Sequence, residues 1–138
     1  MGWKTPKTDW KAGDYFNYTD YNRIADNLVF IKEFVKKFSA RIINLKRMGN
    51  KIGYSDFLEP EEVNNFQHNL NAINNQITHY DLGEDTVYVK AGHTPTNEQW
   101  NRIESFTYDI YDYMRSRTTT TRLTQKLGNE DSRRGIRI

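Results

Sequence analysis

A short phrase recurs three times along the chain: Tyr21-Asn22-Arg23-Ile24, Val63-Asn64-Asn65-Phe66 and Trp100-Asn101-Arg102-Ile103. Each copy is a large apolar residue, an asparagine, a polar residue and a second apolar residue. Each opens an amphipathic run behind a helix-start signal, so the architectural unit is one capped helix used three times. No other feature limits the fold as much. It implies a helical scaffold, and the phrase carries no chemistry of its own.

The runs behind the phrase have helical spacing. Asn17 or Thr19 can cap the first. Ile24, Leu28, Ile31, Val35, Phe38, Ile42 and Leu45 then follow in steps of four and three, a heptad seam. Phe30, Phe34 and Ile43 add a second partial stripe, and Gly49-Asn50 sets the expected end near Met48. Lys51 to Leu58 reads as a loop. The second helix opens at Glu59-Pro60-Glu61-Glu62, with proline at the first helical position and acids meeting the helix dipole. Its seam is Val63, Phe66, Leu70, Ile73 and Ile77. Asparagine is abundant around that seam (Asn64, Asn65, Asn69, Asn71, Asn74, Asn75) and is a poor helix former, so packing must hold this helix.

Thr86 to Lys90 is a short β-type run, expected to form an extended crossover or one strand of a small hairpin. Thr96 to Gln99 fits a capping box for the third helix. That helix carries Trp100, Ile103, Ile110 and Met114, with Phe106 and Tyr113 beside them. Thr107 falls where Leu28 and Leu70 stand in the other copies. Thr118 to Thr121 are β-branched and disfavour continuation. Leu123 and Leu127 allow one short further turn, and flexibility is expected beyond Gly128.

The expected fold is all-α: a three-helix domain over residues 17–115, built from the repeated capped-helix unit, with a β-like crossover near 86–90. Residues 1–16 form an extended aromatic arm, because Pro6 and the residue before it exclude helix there. Trp3 and Trp10 need pockets, on this chain's own helices or on a neighbour. Tyr15 and Phe16 join them as partner-binding anchors. Residues 116–138 form a basic, flexible C-terminal arm. A chain of 138 residues with 36% hydrophobic content supports one domain with a modest core. The mean hydropathy of −0.90 gives that core a polar surface. Nine tyrosines suit half-buried positions at protein contacts, or equally the sealing of a small core.

Composition excludes several functions. Net charge is only +2, too little to declare a polyanion partner. From Arg115 onward, however, Arg115, Arg117, Arg122, Lys126, Arg133, Arg134 and Arg137 face only Glu130 and Asp131. That makes the tail about +5. This segment can contact nucleic acid or lie against neighbouring subunits as an assembly arm. The lack of interleaved aromatics favours the second. There is no cysteine, hence no disulfide and no thiolate chemistry. No secretory leader or membrane-length apolar run is present, and a cytosol-like folding compartment is expected. His68, His79 and His93 lack metal-site spacing. Glu59, Glu61 and Glu62 read as helix-start acids rather than catalytic carboxylates. No nucleophile, phosphate-loop or dinucleotide motif is present. Neither an enzyme nor a cofactor is expected. Asn22, Asn64 and Asn101 are placed to satisfy loop backbone groups near the helix entries. With Tyr21, Arg23, Trp100 and Arg102 they could equally mark a repeated contact surface.

The opening Trp3-Lys4-Thr5-Pro6-Lys7-Thr8-Asp9-Trp10, followed by Asp14-Tyr15-Phe16-Asn17-Tyr18-Thr19-Asp20-Tyr21-Asn22-Arg23-Ile24, resembles a pattern of small virion structural proteins from tailed phages and prophages of Gram-positive bacteria. Leu58 to Asn65 and Thr94 to Glu104 resemble two further segments of the same proteins. The resemblance covers residues 3–114 and leaves the basic tail outside. It implies a virion structural protein made in the host cytoplasm; with the arms and polar helices, the expected role is an oligomeric adaptor or peripheral subunit of tail, neck or baseplate. Its partners would be other virion proteins and further copies of itself, with no membrane. On that reading, replacing Trp3 and Trp10 by alanine spares helix content and abolishes incorporation. The alternative is a small nucleic-acid-binding protein working through the basic tail.

Overall fold

The computed structural model describes residues 2–53, 58–83 and 95–131, with side chains through Arg117. Three helices make up its regular structure: α1 (Tyr18–Ser39), α2 (Pro60–Gln76) and α3 (Asn97–Asp131). No strand occurs among the described residues, so the fold is all-α. The expected crossover near 86–90 lies outside them. No helix among them is long and apolar enough to cross a membrane.

Each helix start uses the same device. The third residue of the helix reaches back to the cap residue's N–H: Asp20 to Asn17 at 3.0 Å, Glu62 to Glu59 at 2.7 Å and Gln99 to Thr96 at 3.0 Å. These bonds satisfy donors that a helix N-terminus leaves open. Proline opens α2, and its missing N–H costs nothing there.

All three helices point the same way. Near their starts, Tyr21 of α1 lies 5.0 Å from Phe66 of α2, and Phe66 lies edge-on to Trp100 of α3 at 6.5 Å. Farther along, Phe30 and Phe34 of α1 meet Tyr111 of α3. Past the end of α1, Arg41 donates to the Gln76 carbonyl that closes α2, at 2.7 Å. Parallel helices need return connections, and the described parts of these, residues 40–53 and 77–83, carry no further helix. The core between the helices is Leu28, Ile31 and Val35, Phe66, Leu70 and Ile73, and Ile103, Ile110 and Met114. Thr107 is buried among them, its hydroxyl satisfied by the Ile103 carbonyl at 2.7 Å.

Two helix ends differ from the sequence reading. α1 stops at Ser39, well before Met48, because Ala40 turns left-handed at φ 59°. The seam therefore ends at Val35, and Phe38 and Ile42 are exposed at 38% and 70%. Ile43 is buried and Leu45 half-buried on extended backbone instead. The return segment gains more from lying in the groove between α1 and α2 than from another helical turn. α3, by contrast, runs through Thr118–Thr121 to Asp131. Each threonine costs only tenths of a kcal/mol, and propagating a formed helix is easier than starting one.

Candidate docking groove

The repeated asparagines hold the extended segments. A carboxamide has one acceptor edge and one donor edge, which match the N–H and C=O of a single extended residue. Among the described residues, five asparagines use both edges on one backbone residue: Asn27 on Lys4, Asn101 on Trp10, Asn69 on Lys46, Asn22 on Lys51 and Asn74 on Tyr80. The distances run from 2.7 to 3.0 Å. Each side chain thus does what an adjacent strand would do in a sheet. The spacing is regular: Lys4 and Asn27 are 23 residues apart, as are Lys46 and Asn69. In α3 the corresponding position is Phe106, which cannot form such a bracket. There Arg102 Nε donates to the Leu82 carbonyl at 2.6 Å.

The groove between α1 and α3 holds residues 2–10. Trp3 stacks on Tyr111 with ring centres 3.9 Å apart, and Trp10 is buried beside Phe16 and Trp100. Lys4 Nζ meets Asp26 at 2.7 Å. The polar centre is Glu104, 1% exposed. Its carboxylate accepts from Lys7 N–H at 3.0 Å, Trp10 Nε1 at 2.6 Å, and Arg23 Nε and an Arg23 terminal nitrogen at 2.8 Å each. A buried carboxylate is tolerable when paired and hydrogen-bonded in this way. Burial pulls the Arg23 guanidinium down, but Glu104 and then Asp20 outweigh it and hold the pKa above its ordinary value.

In the neighbouring groove, Lys51 spans the Tyr21 ring at 4.8 Å and pairs with Glu62 at 2.9 Å. Burial, then the Glu62 charge, push the Tyr21 phenol up to about 12. At the helix-start end, a half-open cavity of about 750 Å³ is lined by Trp10, Tyr15, Phe16, Leu58, Pro95 and Trp100. A second, of about 590 Å³, lies among Tyr80, Phe106, Tyr113 and the acids Asp81, Asp109 and Asp112.

The anchors named from sequence therefore divide. Trp3, Trp10 and Phe16 pack on this chain's own helices, while Tyr15 is 90% exposed. Tyr21 and Trp100 are buried core. Asn22 and Asn101 are brackets, Arg23 and Arg102 hold Glu104 and Leu82, and Asn64 is half-buried on α2. Arg115 pairs with Asp112 at 2.6 Å, and Arg117 lies 5.2 Å over the Tyr113 ring. Arg122 and Lys126 fall on the α3 backbone with side chains outside the description, as are Arg133, Arg134 and Arg137 entirely. Sequence reasoning missed Asn27, Asn69, Asn74 and Glu104. A signal existed for the first two, since Asn27 and Asn69 follow their repeat asparagines, Asn22 and Asn64, by the same interval. Among the described residues no three His, Cys, Asp or Glu side chains group to hold a metal ion. The arrangement grips peptide backbone through paired carboxamide edges.

No protein family, curated protein or solved structure matches this chain.

Proposed function

We propose that this chain is a phage virion structural protein, an oligomeric adaptor or peripheral subunit of tail, neck or baseplate, built from three copies of one unit: an extended segment followed by a capped helix. The resemblance of residues 3–24 to virion proteins motivates the reading, and the length of α3 carries its oligomeric part. Phe34 lies level with Tyr111, so α1 ends about level with Ser116, yet α3 continues to Asp131. That continuation is roughly 20 Å of helix at 1.5 Å per residue. Propagation from the formed helix lets it continue, but most helical stability in a protein comes from packing a face against other structure. A neighbouring subunit provides it.

The test is quantitative peptide mass spectrometry on purified particles. The protein is expected at a fixed ratio to the major capsid protein, and the ratio reports its symmetry. Absence from particles, with abundance in infected cells, would sink the reading. Nucleic-acid binding through the basic tail would then be measured by its salt dependence.

A further inference from the structure

We propose that the groove between α1 and α3 is an exchange site, which accepts residues 2–10 of a second copy of this chain in place of its own, so that copies join by swapping arms. The inference rests on the virion reading and names the contact by which copies meet.

The groove cannot stand empty at low cost. Without an arm, Glu104 loses the Lys7 N–H and the Trp10 indole, and Asn27 and Asn101 lose both edges of their brackets. Asn27 and Glu104 are each 1% exposed with the arm in place, so its departure gives up fixed partners and uncovers the apolar surface under Trp3 and Trp10. Losing those contacts is more costly than exchanging one partner for an identical one. An arm from another copy restores every bond, because the brackets address backbone atoms and Trp3 and Trp10 set the register. A swap therefore keeps the groove contacts and gives up only the exposed link between Lys11 and Asp14.

The connection suits exchange. The other bracketed residues, Lys46, Lys51 and Tyr80, lie on segments that join one helix to the next. Moving those segments would pull the bundle apart. Residues 2–10 do not join two of the three helices, so moving them displaces none of these. The link between arm and helix, Lys11 to Tyr15, is exposed throughout. It is a turn closed by Asp14 N–H on the Lys11 carbonyl at 3.0 Å, with Gly13 at φ 91°. Opening that turn converts a folded-back arm into an outstretched one.

The absence of cysteine allows a direct test. The side chains of Lys4 and Asp26 touch across the groove, while the Asn27 bracket uses only the backbone of Lys4. The single variants Lys4→Cys and Asp26→Cys, one carrying a mass tag, are mixed, refolded together and treated with a short bismaleimide. Covalent heterodimers that increase with protein concentration are expected. The double variant Lys4→Cys/Asp26→Cys is the control, and it should cross-link within one chain when dilute. Control cross-links without heterodimers at any concentration would overturn the proposal. As a second measurement, deleting Ala12 and Gly13 removes the turn and should convert the full chain to a dimer or larger by light scattering. A folded, monomeric product of that deletion would also overturn it. Failure here with the protein present in particles removes arm exchange alone. Exchange without presence in particles removes the virion reading alone.

Discussion

A single carboxamide decides where each extended segment lies, and the asymmetry of that group makes the claim testable. Asn69 is fully buried and gives its oxygen to Lys46 N–H and its nitrogen to the Lys46 carbonyl. Asn69→Ala removes both bonds and strands two backbone groups, at a cost of about 2–3 kcal/mol in urea unfolding. Asn69→Asp keeps the shape but turns a carboxylate oxygen toward a carbonyl oxygen in a buried site. It should cost at least as much as alanine near neutral pH and recover partly in acid, where protonation restores a donor. Equal stability of wild type and Asn69→Asp would remove the bracket from the energetics. For Asn22 and Asn101 of the sequence phrase, backbone satisfaction was one of two readings, beside a repeated contact surface, and both do bond backbone. Which backbone they satisfy was not legible, because the partners of Asn22 and Asn101 lie 29 and 91 residues away.

At the scale of elements, helix starts are local and helix ends are not. Cap and third-residue acceptor sit within one turn, so Glu59 and Thr96 could be read directly and the first cap narrowed to Asn17 or Thr19, of which the structure uses Asn17. The end of α1 depended on a competition the heptad pattern does not contain. Ile43 and Leu45 serve a helical seam or an extended segment about equally well, and the brackets on Lys46 and Lys51 decide for the segment. The cost of that decision sits at Ala40, held left-handed at φ 59°. Ala40→Gly removes the Cβ conflict there, offset by the greater freedom of glycine in the unfolded chain. A gain of about 0.5–1 kcal/mol is expected by denaturant titration. A loss of stability would mean that the left-handed closure is not what ends α1.

For the whole molecule, the arm is part of the core rather than an appendage. Trp10 is 3% exposed, and its indole N–H is one of the bonds that keep Glu104 satisfied. The expectation that Trp3→Ala with Trp10→Ala spares helix content therefore changes. Truncating a buried tryptophan costs about 3–5 kcal/mol, a large part of a domain's 5–15 kcal/mol. The double variant should lose helical circular dichroism or melt far below wild type; an unchanged melt would place the arm outside the cooperative unit. The Tyr21 phenol gives the molecule a pH signature as well. Its folded pKa of about 12 exceeds the ordinary value of 10.0, so the native state keeps a proton that the unfolded chain releases. This contribution is complete below about pH 10 and is lost as pH rises toward about 12. Tyr21→Phe should flatten that part of the stability profile measured by urea melts across the window.

The amino-acid sequence by itself determined three amphipathic helices, their caps and most of the core, because periodicity and capping act over a few neighbouring residues. It also marked the asparagines and the aromatic arm as special. Only the tertiary structure decided that the helices run parallel, that extended segments return through the grooves between them, and that Glu104 joins arm, α1 and α3. The physical reason is distance along the chain. Each of those features is a pairing of groups far apart in sequence, and each pair became favourable only once the helices had brought a groove of the right width and polarity to meet it.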